Sequence, residues 1–294
     1  MMDQPLSKLV ELLDIENLDE NFFRGTSPSG SGARVFGGQV VAQALVAASR
    51  TIDSGLVHSL HAYFLRPGDP SIPILYQVER SRNGRSFSAR VVHAIQRGAP
   101  ILTMLASFQQ PEPGVEFQVP MPQVPDPESL TPLSEQRREW LARYGDQLSE
   151  ALRRNLSGSL PFDIRECQDD DPVKMRQPGP PHHAYWFRSD KPLPDDPIVQ
   201  RCALAYASDY SLLLPALRPF GRHFTDEDLV VASIDHAIWF HRPPRCNDWL
   251  LYVTHATSVQ SARGMCHGQF FDRNGVLIAT TAQECLMREV SRGA

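Results

Sequence analysis

One pattern occurs twice in this chain of 294 residues, and nothing else in the sequence limits its fold as strongly. The stretch FGGQVVAQALVAASRTI, Phe36 to Ile52, is small and apolar on every side and reads as a buried helix. HSLHAYFLRPG, His58 to Gly68, follows as a strand stopped by Pro67. Alternating polar and apolar residues then continue to Phe108, broken at Asn83-Gly84 and Arg97-Gly98, as in long antiparallel strands. Asp195 to Leu217 again reads as a buried helix, and Ser233 to Pro244 again as a strand ending in Arg-Pro. The alternation that follows breaks at Ala262 to Gly264 and at Asn274-Gly275. Arg66-Pro67 maps onto Arg242-Pro243 at an offset of 176, Gly98 onto Gly275 at 177 and Arg85 onto Arg263 at 178. The repeated unit is one long helix followed by antiparallel strands. It predicts an α+β fold in which each sheet buries one face against its helix.

Proline separates the copies. The chain holds 25 prolines in 294 residues, well above the ~5% of average usage. Residues 111 to 132 contain seven of them, which excludes helix and central strand and predicts a linker. A second cluster, Pro178 to Pro197, is interrupted by the strand-like Ala184 to Arg188. Thr131 can cap a helix with Pro132 at its first position. Leu133, Leu141, Tyr144, Leu148 and Leu152 then form an apolar stripe in a charged background, predicting a surface helix between domains. The expected division is a first copy at 1–110, a linker with its helix at 111–160 and a second copy at 161–294.

Several function classes are disfavoured. A net charge of −5 argues against a general nucleic-acid binder. Apolar runs such as Ser211 to Leu214 and Leu229 to Ile234 fall far short of a membrane span. The start lacks a basic segment before an apolar core, and the SRGA end matches no common receptor-read address, so a cytoplasmic location is expected. The five cysteines are scattered and never in CxxC spacing, as in a protein with reduced thiols. GxSxG, GxGxxG and GxxxxGK[ST] are all missing, which sets aside a nucleophile-elbow hydrolase, a dinucleotide site and a P-loop. His182-His183, and His236 with His241, lack the spacing of a zinc ligand set. No cofactor or metal is called for.

Three polar residues stand in apolar surroundings. Asp209 lies in ALAYASDYSLLL on one helical face with Cys202, Ala205, Leu212 and Leu213, which aims its carboxylate at packed sheet. The alternative reading makes Asp209 the N-cap of a kinked second helical segment. Ser233 and Gln283 belong to the first and last strands of the second copy, and Gln283 shares a face with Leu277, Ala279 and Cys285. The alternative for both is that they satisfy backbone groups inside the sheet.

The chain resembles the acyl-CoA thioesterase II family over nearly its whole length. The resemblance rests on six motifs in the same order: RVFGGQVVAQAL, HSLHAYFLRPGD, LAYASDY, SIDHAIWFHRP, SARG and NGVLIATTAQE. It implies a double hotdog fold, with two tandem copies of a central helix wrapped by an antiparallel sheet. It also implies hydrolysis of medium- to long-chain acyl-CoA and a homodimer or homotetramer. The family's catalytic Asp, Thr or Ser, and Gln fall on Asp209, Ser233 and Gln283, with serine as the smaller alternative at its position. The proline-rich linker matches least.

Those residue types suit water attack on a thioester. An aspartate only accepts hydrogen bonds, whereas a serine hydroxyl and a glutamine amide can each donate or accept, so together they can orient one water. No acyl-enzyme is expected, and backbone N–H groups would have to meet the oxyanion. Residues 34 to 52 contain no Asp or Glu, and Ala106 or Ser107 falls where Gln283 sits, so one active site per chain is expected. Arg66, Arg85 and Arg263 are candidate contacts to coenzyme A phosphates. Two rivals share the fold: an enoyl-CoA hydratase, whose GDxNP-like segment is only partly echoed by Arg66 to Pro70, and a non-catalytic acyl-CoA binding module.

Overall fold

The computed structural model describes residues 8–28, 33–168 and 171–290. The outermost residues of both ends, including the SRGA tail, lie outside that range. The first copy opens with α1 (Lys8–Leu13), β1 (Glu16–Asp19) and β2 (Phe22–Gly25). Its long helix is α2 (Gly37–Ser49), and its strands are β3 (Leu56–Phe64), β4 (Ile74–Asn83), β5 (Phe87–Gln96) and β6 (Ala99–Gln109). Helices α3 (Leu133–Tyr144) and α4 (Glu150–Ser157) follow the proline-rich segment. The second copy contains β7 (Phe162–Glu166), β8 (His182–Ser189), α5 (Pro197–Ser208) and α6 (Leu214–Leu217). It finishes with β9 (Leu229–Ser233), β10 (Asp235–Phe240), β11 (Leu250–Gln260), β12 (Arg263–Asp272) and β13 (Leu277–Glu289).

All strands described join one antiparallel sheet in the order β1-β2-β4-β5-β6-β3-β10-β13-β12-β11-β8-β7, with β9 also on β13. The copies meet where β3 pairs with β10, with His61 opposite Ala237. Inside the curved sheet α2 and α5 lie against each other. Every residue of α2 after Gly37 is buried, which explains its run of Val, Ala and Leu without a charge. A β-carbon at Gly38 would stand 2.4 Å from the Tyr206 carbonyl oxygen, so glycine there sets how closely the two helices approach.

Three expectations need correction. The helix expected over Asp195 to Leu217 is two helices, α5 capped by the Asp196 side chain with Pro197 at its first turn, and the short α6. Asp209 closes α5 as its C-cap and does not open the next segment. The strand expected over Ser233 to Pro244 is interrupted at Ile234, whose N–H donates to Glu284 and whose carbonyl accepts from Phe64. The single linker helix is also two. Pro132 takes the cap position expected for Thr131, the first helix stops at Gly145, and the Ser149 hydroxyl caps the second.

Candidate active site

The break after α5 turns Asp209 away from its own helix and onto the other copy's. Asp209 Oδ2 accepts the Gly38 N–H at 2.8 Å, within the first turn of α2. First-turn amides have no partner inside a helix, and the helix dipole favours negative charge at that end. Gly37 is as constrained as Gly38, because a β-carbon there would come within 2.6 Å of Asp209 Oδ2. The GG pair in FGGQ therefore makes room for a carboxylate on one side and a helix backbone on the other.

The Ser233 hydroxyl donates to Asp209 Oδ1 at 3.3 Å and accepts from the Gln283 side-chain amide at 2.8 Å. The other end of that amide, Oε1, lies 2.5 Å from His236 Nδ1. Since an amide oxygen can only accept, Nδ1 carries the proton. His236 Nε2 faces the Ser208 hydroxyl at 2.8 Å. Burial lowers the pKa of His236, opposed by Asp209 and the Gln283 hydrogen bond. The three expected residues thus sit in one hydrogen-bonded chain, and His236 joins it from behind, fixing which end of the amide meets Ser233.

Regular strand alternation would forbid this arrangement. Residues three apart on a strand point to opposite faces, yet Ser233 and His236 reach the same amide. The bulge at Ile234 supplies the extra residue that turns both inward. Sequence reasoning missed His236 because a histidine inside a regular strand carries no sign of a bulge beside it.

Asp209 and Ser233 line a cavity of about 740 Å³. Gln283 lies behind Ser233, fully buried. The first copy contributes Val35, Gly37, Val40, Phe64 and Leu102 to the walls, and α3 and α4 contribute Leu133, Trp140, Leu152 and Leu156. The linker helices are therefore a wall of the cavity and not a free surface element. Of the arginines singled out, Arg66 lines the cavity and donates to the Pro100 carbonyl. Arg85 does not line it, and Arg263 pairs with Glu284 away from it. Arg34 and Arg137 line the cavity and were not expected. Among the described residues, no three His, Cys, Asp or Glu side chains could jointly hold a metal ion.

Comparison with known proteins identifies the family. Residues 162–286 match the acyl-CoA thioesterase family, and residues 26–109 match the acyl-CoA thioesterase N-terminal domain. Acyl-CoA thioesterase 2 of Haemophilus influenzae is 41% identical over 98% of this chain and 99% of its own length. The crystal structure of an acyl-CoA thioesterase II from Mycobacterium marinum is 38% identical, with a TM-score of 0.77 covering 96% of this chain and 99% of that one. A hot dog fold protein of unknown function from Alicyclobacillus acidocaldarius keeps the fold at 19% identity, with a TM-score of 0.77 over 98% of this chain and 100% of that one. The chain belongs to the acyl-CoA thioesterase family.

Proposed function

We propose that this protein hydrolyses medium- to long-chain fatty acyl-CoA to free fatty acid and coenzyme A, by direct attack of a water held by Asp209 and Ser233. The observation that carries this reading is the hydrogen-bonded chain from Gln283 through Ser233 to Asp209, ending at the wall of a largely apolar cavity. With the Ser233 proton directed at Asp209 and its oxygen held by Gln283, the two groups present a fixed set of lone pairs to the water. The water oxygen bonds to the thioester carbon while Asp209 takes its proton. The first turn of α2, where Gly37 lines the cavity, supplies N–H character for the developing oxyanion. The carbon–sulfur bond then breaks with its electron pair on sulfur. A free thiol has a pKa near ~8.5, so expelling it demands less protonation than expelling an alkoxide.

One site per chain belongs to the same reading, with the second copy (161–294) carrying the acid, the first (1–110) completing the walls, and 111–160 bridging them. A homodimer or homotetramer is supported by exposed Tyr63 and Leu105 on the outer face of β3 and β6. The five free thiols support a cytoplasmic location, and no described helix is long and apolar enough to cross a membrane.

The test is release of coenzyme A thiol from palmitoyl-CoA and octanoyl-CoA, followed with a thiol reagent. Wild-type protein should release it, and a folded Asp209→Ala variant should not. Equal rates from the two would overturn the site. A hydratase would release no thiol and would hydrate an enoyl-CoA, while a binding module would do neither.

A further inference from the structure

The bend that carries Asp209 is held by more than its own helix. α5 ends at Ser208, and Ser211 takes a left-handed φ of 59°, so the chain leaves the helix within three residues. In an unbroken helix the Tyr210 carbonyl would accept from the N–H of residue 214, yet Leu214 donates to Ser211 instead. Helix-end carbonyls inside a core need donors from elsewhere. Two tyrosines supply them. The Tyr252 hydroxyl donates to the Ser208 carbonyl at 2.9 Å, and the Tyr185 hydroxyl to the Tyr210 carbonyl at 2.9 Å. The residues on both sides of Asp209 are thereby fixed through their backbone.

The two rings form one assembly. Tyr185 and Tyr252 stand opposite each other on β8 and β11 with ring centroids 5.7 Å apart, and Tyr252 stacks on Phe270 at 3.8 Å. Both tyrosines are buried and neither lines the cavity, so neither reaches the substrate. A carbonyl only accepts, so the single Tyr252 proton goes to Ser208 and its oxygen accepts from the Thr281 hydroxyl at 2.9 Å. Burial pushes both hydroxyls well above the ordinary tyrosine pKa, which keeps them donors across the neutral range. A β-carbon at Gly268 would stand 2.7 Å from the Tyr252 oxygen, so glycine there clears the place of this hydroxyl.

The first copy lacks this arrangement on the same strands. Tyr76 lies where Tyr252 lies, at the offset of 176 that relates Arg66 to Arg242, and is equally buried. Its hydroxyl goes to the Gln43 side chain in the body of α2. Phe23 stands opposite Tyr76, as Tyr185 stands opposite Tyr252. Val92 occupies the place of Gly268. The unit thus accommodates an aromatic pair with one hydroxyl fewer. The extra hydroxyl and the glycine occur in the copy that holds Asp209.

We propose that Tyr185 and Tyr252 are positioning residues for Asp209, clamping the two neighbouring carbonyls so that its carboxylate stays seated between the Gly38 N–H and the Ser233 hydroxyl. This rests on the thioesterase reading above and adds two residues that act on the reaction without touching it.

Tyr185→Phe, Tyr252→Phe and Tyr76→Phe each delete one buried hydroxyl and keep the ring. Thiol release from octanoyl-CoA gives kcat and KM for each. All three should lower the melting temperature by about 2–4 °C. Tyr185→Phe and Tyr252→Phe should also lower kcat by about tenfold with KM within about twofold, since a displaced base costs chemistry and not binding. Tyr76→Phe should keep the wild-type kcat. Tyr185→Phe makes the pair that the first copy already contains, so it decides the matter even where Tyr252→Phe does not fold. The proposal is overturned if both second-copy variants turn over at the wild-type rate, if they raise KM with kcat unchanged, or if Tyr76→Phe lowers kcat as much. Full activity in Asp209→Ala would instead overturn the site itself. Tyrosine variants at the wild-type rate beside an inactive Asp209→Ala would overturn the clamp alone.

Discussion

At corresponding positions the two copies hold opposite chemistry on the same backbone. In the first, Leu60 stands opposite Ala106, and both are fully buried. The corresponding pair in the second is His236 and Gln283, next along the register from Ala237 opposite Ala282, and equally buried. Val57 opposite Phe108 likewise corresponds to Ser233 opposite Cys285. Even the bulge is shared: β3 shifts register between Val57 and Ser59, and the second copy breaks at Ile234. The local geometry that turns two side chains onto one point is thus a property of the unit, whichever residues fill it. Leu–Ala makes that point ordinary core. His–Gln with serine makes it, on the proposed reading, a place to hold water. What the first copy contributes instead is the Gly37-Gly38 helix start, so neither copy contains the whole site.

This comparison can be broken or sharpened in order of expected effect. Removing the acid comes first: Asp209→Ala should lower kcat by about 10²–10⁴-fold with folding intact by circular dichroism. Next come the two neighbouring glycines, which should fail differently. Gly37→Ala pushes the Asp209 carboxylate aside and should cost about 10²-fold in kcat with a small change in melting temperature. Gly38→Ala meets the rigid backbone of α5 and should cost about 1–3 kcal/mol in denaturant unfolding. Gln283→Ala should abolish turnover and cost about 1–3 kcal/mol, because His236 then buries a donor without an acceptor. Combining it with His236→Leu installs the first copy's pair, and stability should return to near wild type while activity stays lost. If the double variant were less stable than Gln283→Ala, the equivalence of the two pairs would fail.

The smallest effect is a pH dependence. His223 lines the cavity, and burial chiefly holds its pKa down at about 4, against 6.5 ordinarily. Between those values the unfolded chain binds more protons than the folded one, so stability should fall as pH drops through that window. His223→Gln should flatten the melting temperature against pH there, and an unchanged slope would remove His223 as its source.

Much of this fold could be read before any coordinates, because helix burial and strand alternation leave a periodic trace and a duplicated unit leaves it twice. Asp209 was recognisable as a carboxylate in apolar company. Its partner was not, since Gly38 lies 171 residues away and contributes a backbone amide that any residue type would have. Alternation places Ser233 and Gln283 on the first and last strands of the second copy, only the family resemblance puts them in one site, and His236 behind them gives no signal because nothing in the sequence marks the bulge. Arg137 was hidden differently. The stripe on α3 was traced through its leucines, and a charged residue on a charged helix reads as solvated until the helix is seen to roof a cavity.

The bond between Gly38 and Asp209 also bears on when the protein can work. A ribosome delivers α2 long before α5, and until the second helix docks, the first has no carboxylate at its start. A carboxylate in a half-folded second copy would likewise have no amide to hold it still. Thioester cleavage should therefore appear only after the two copies close on each other. Recovery of turnover during refolding would then time the docking of the halves, a step that recovery of helix content alone would miss.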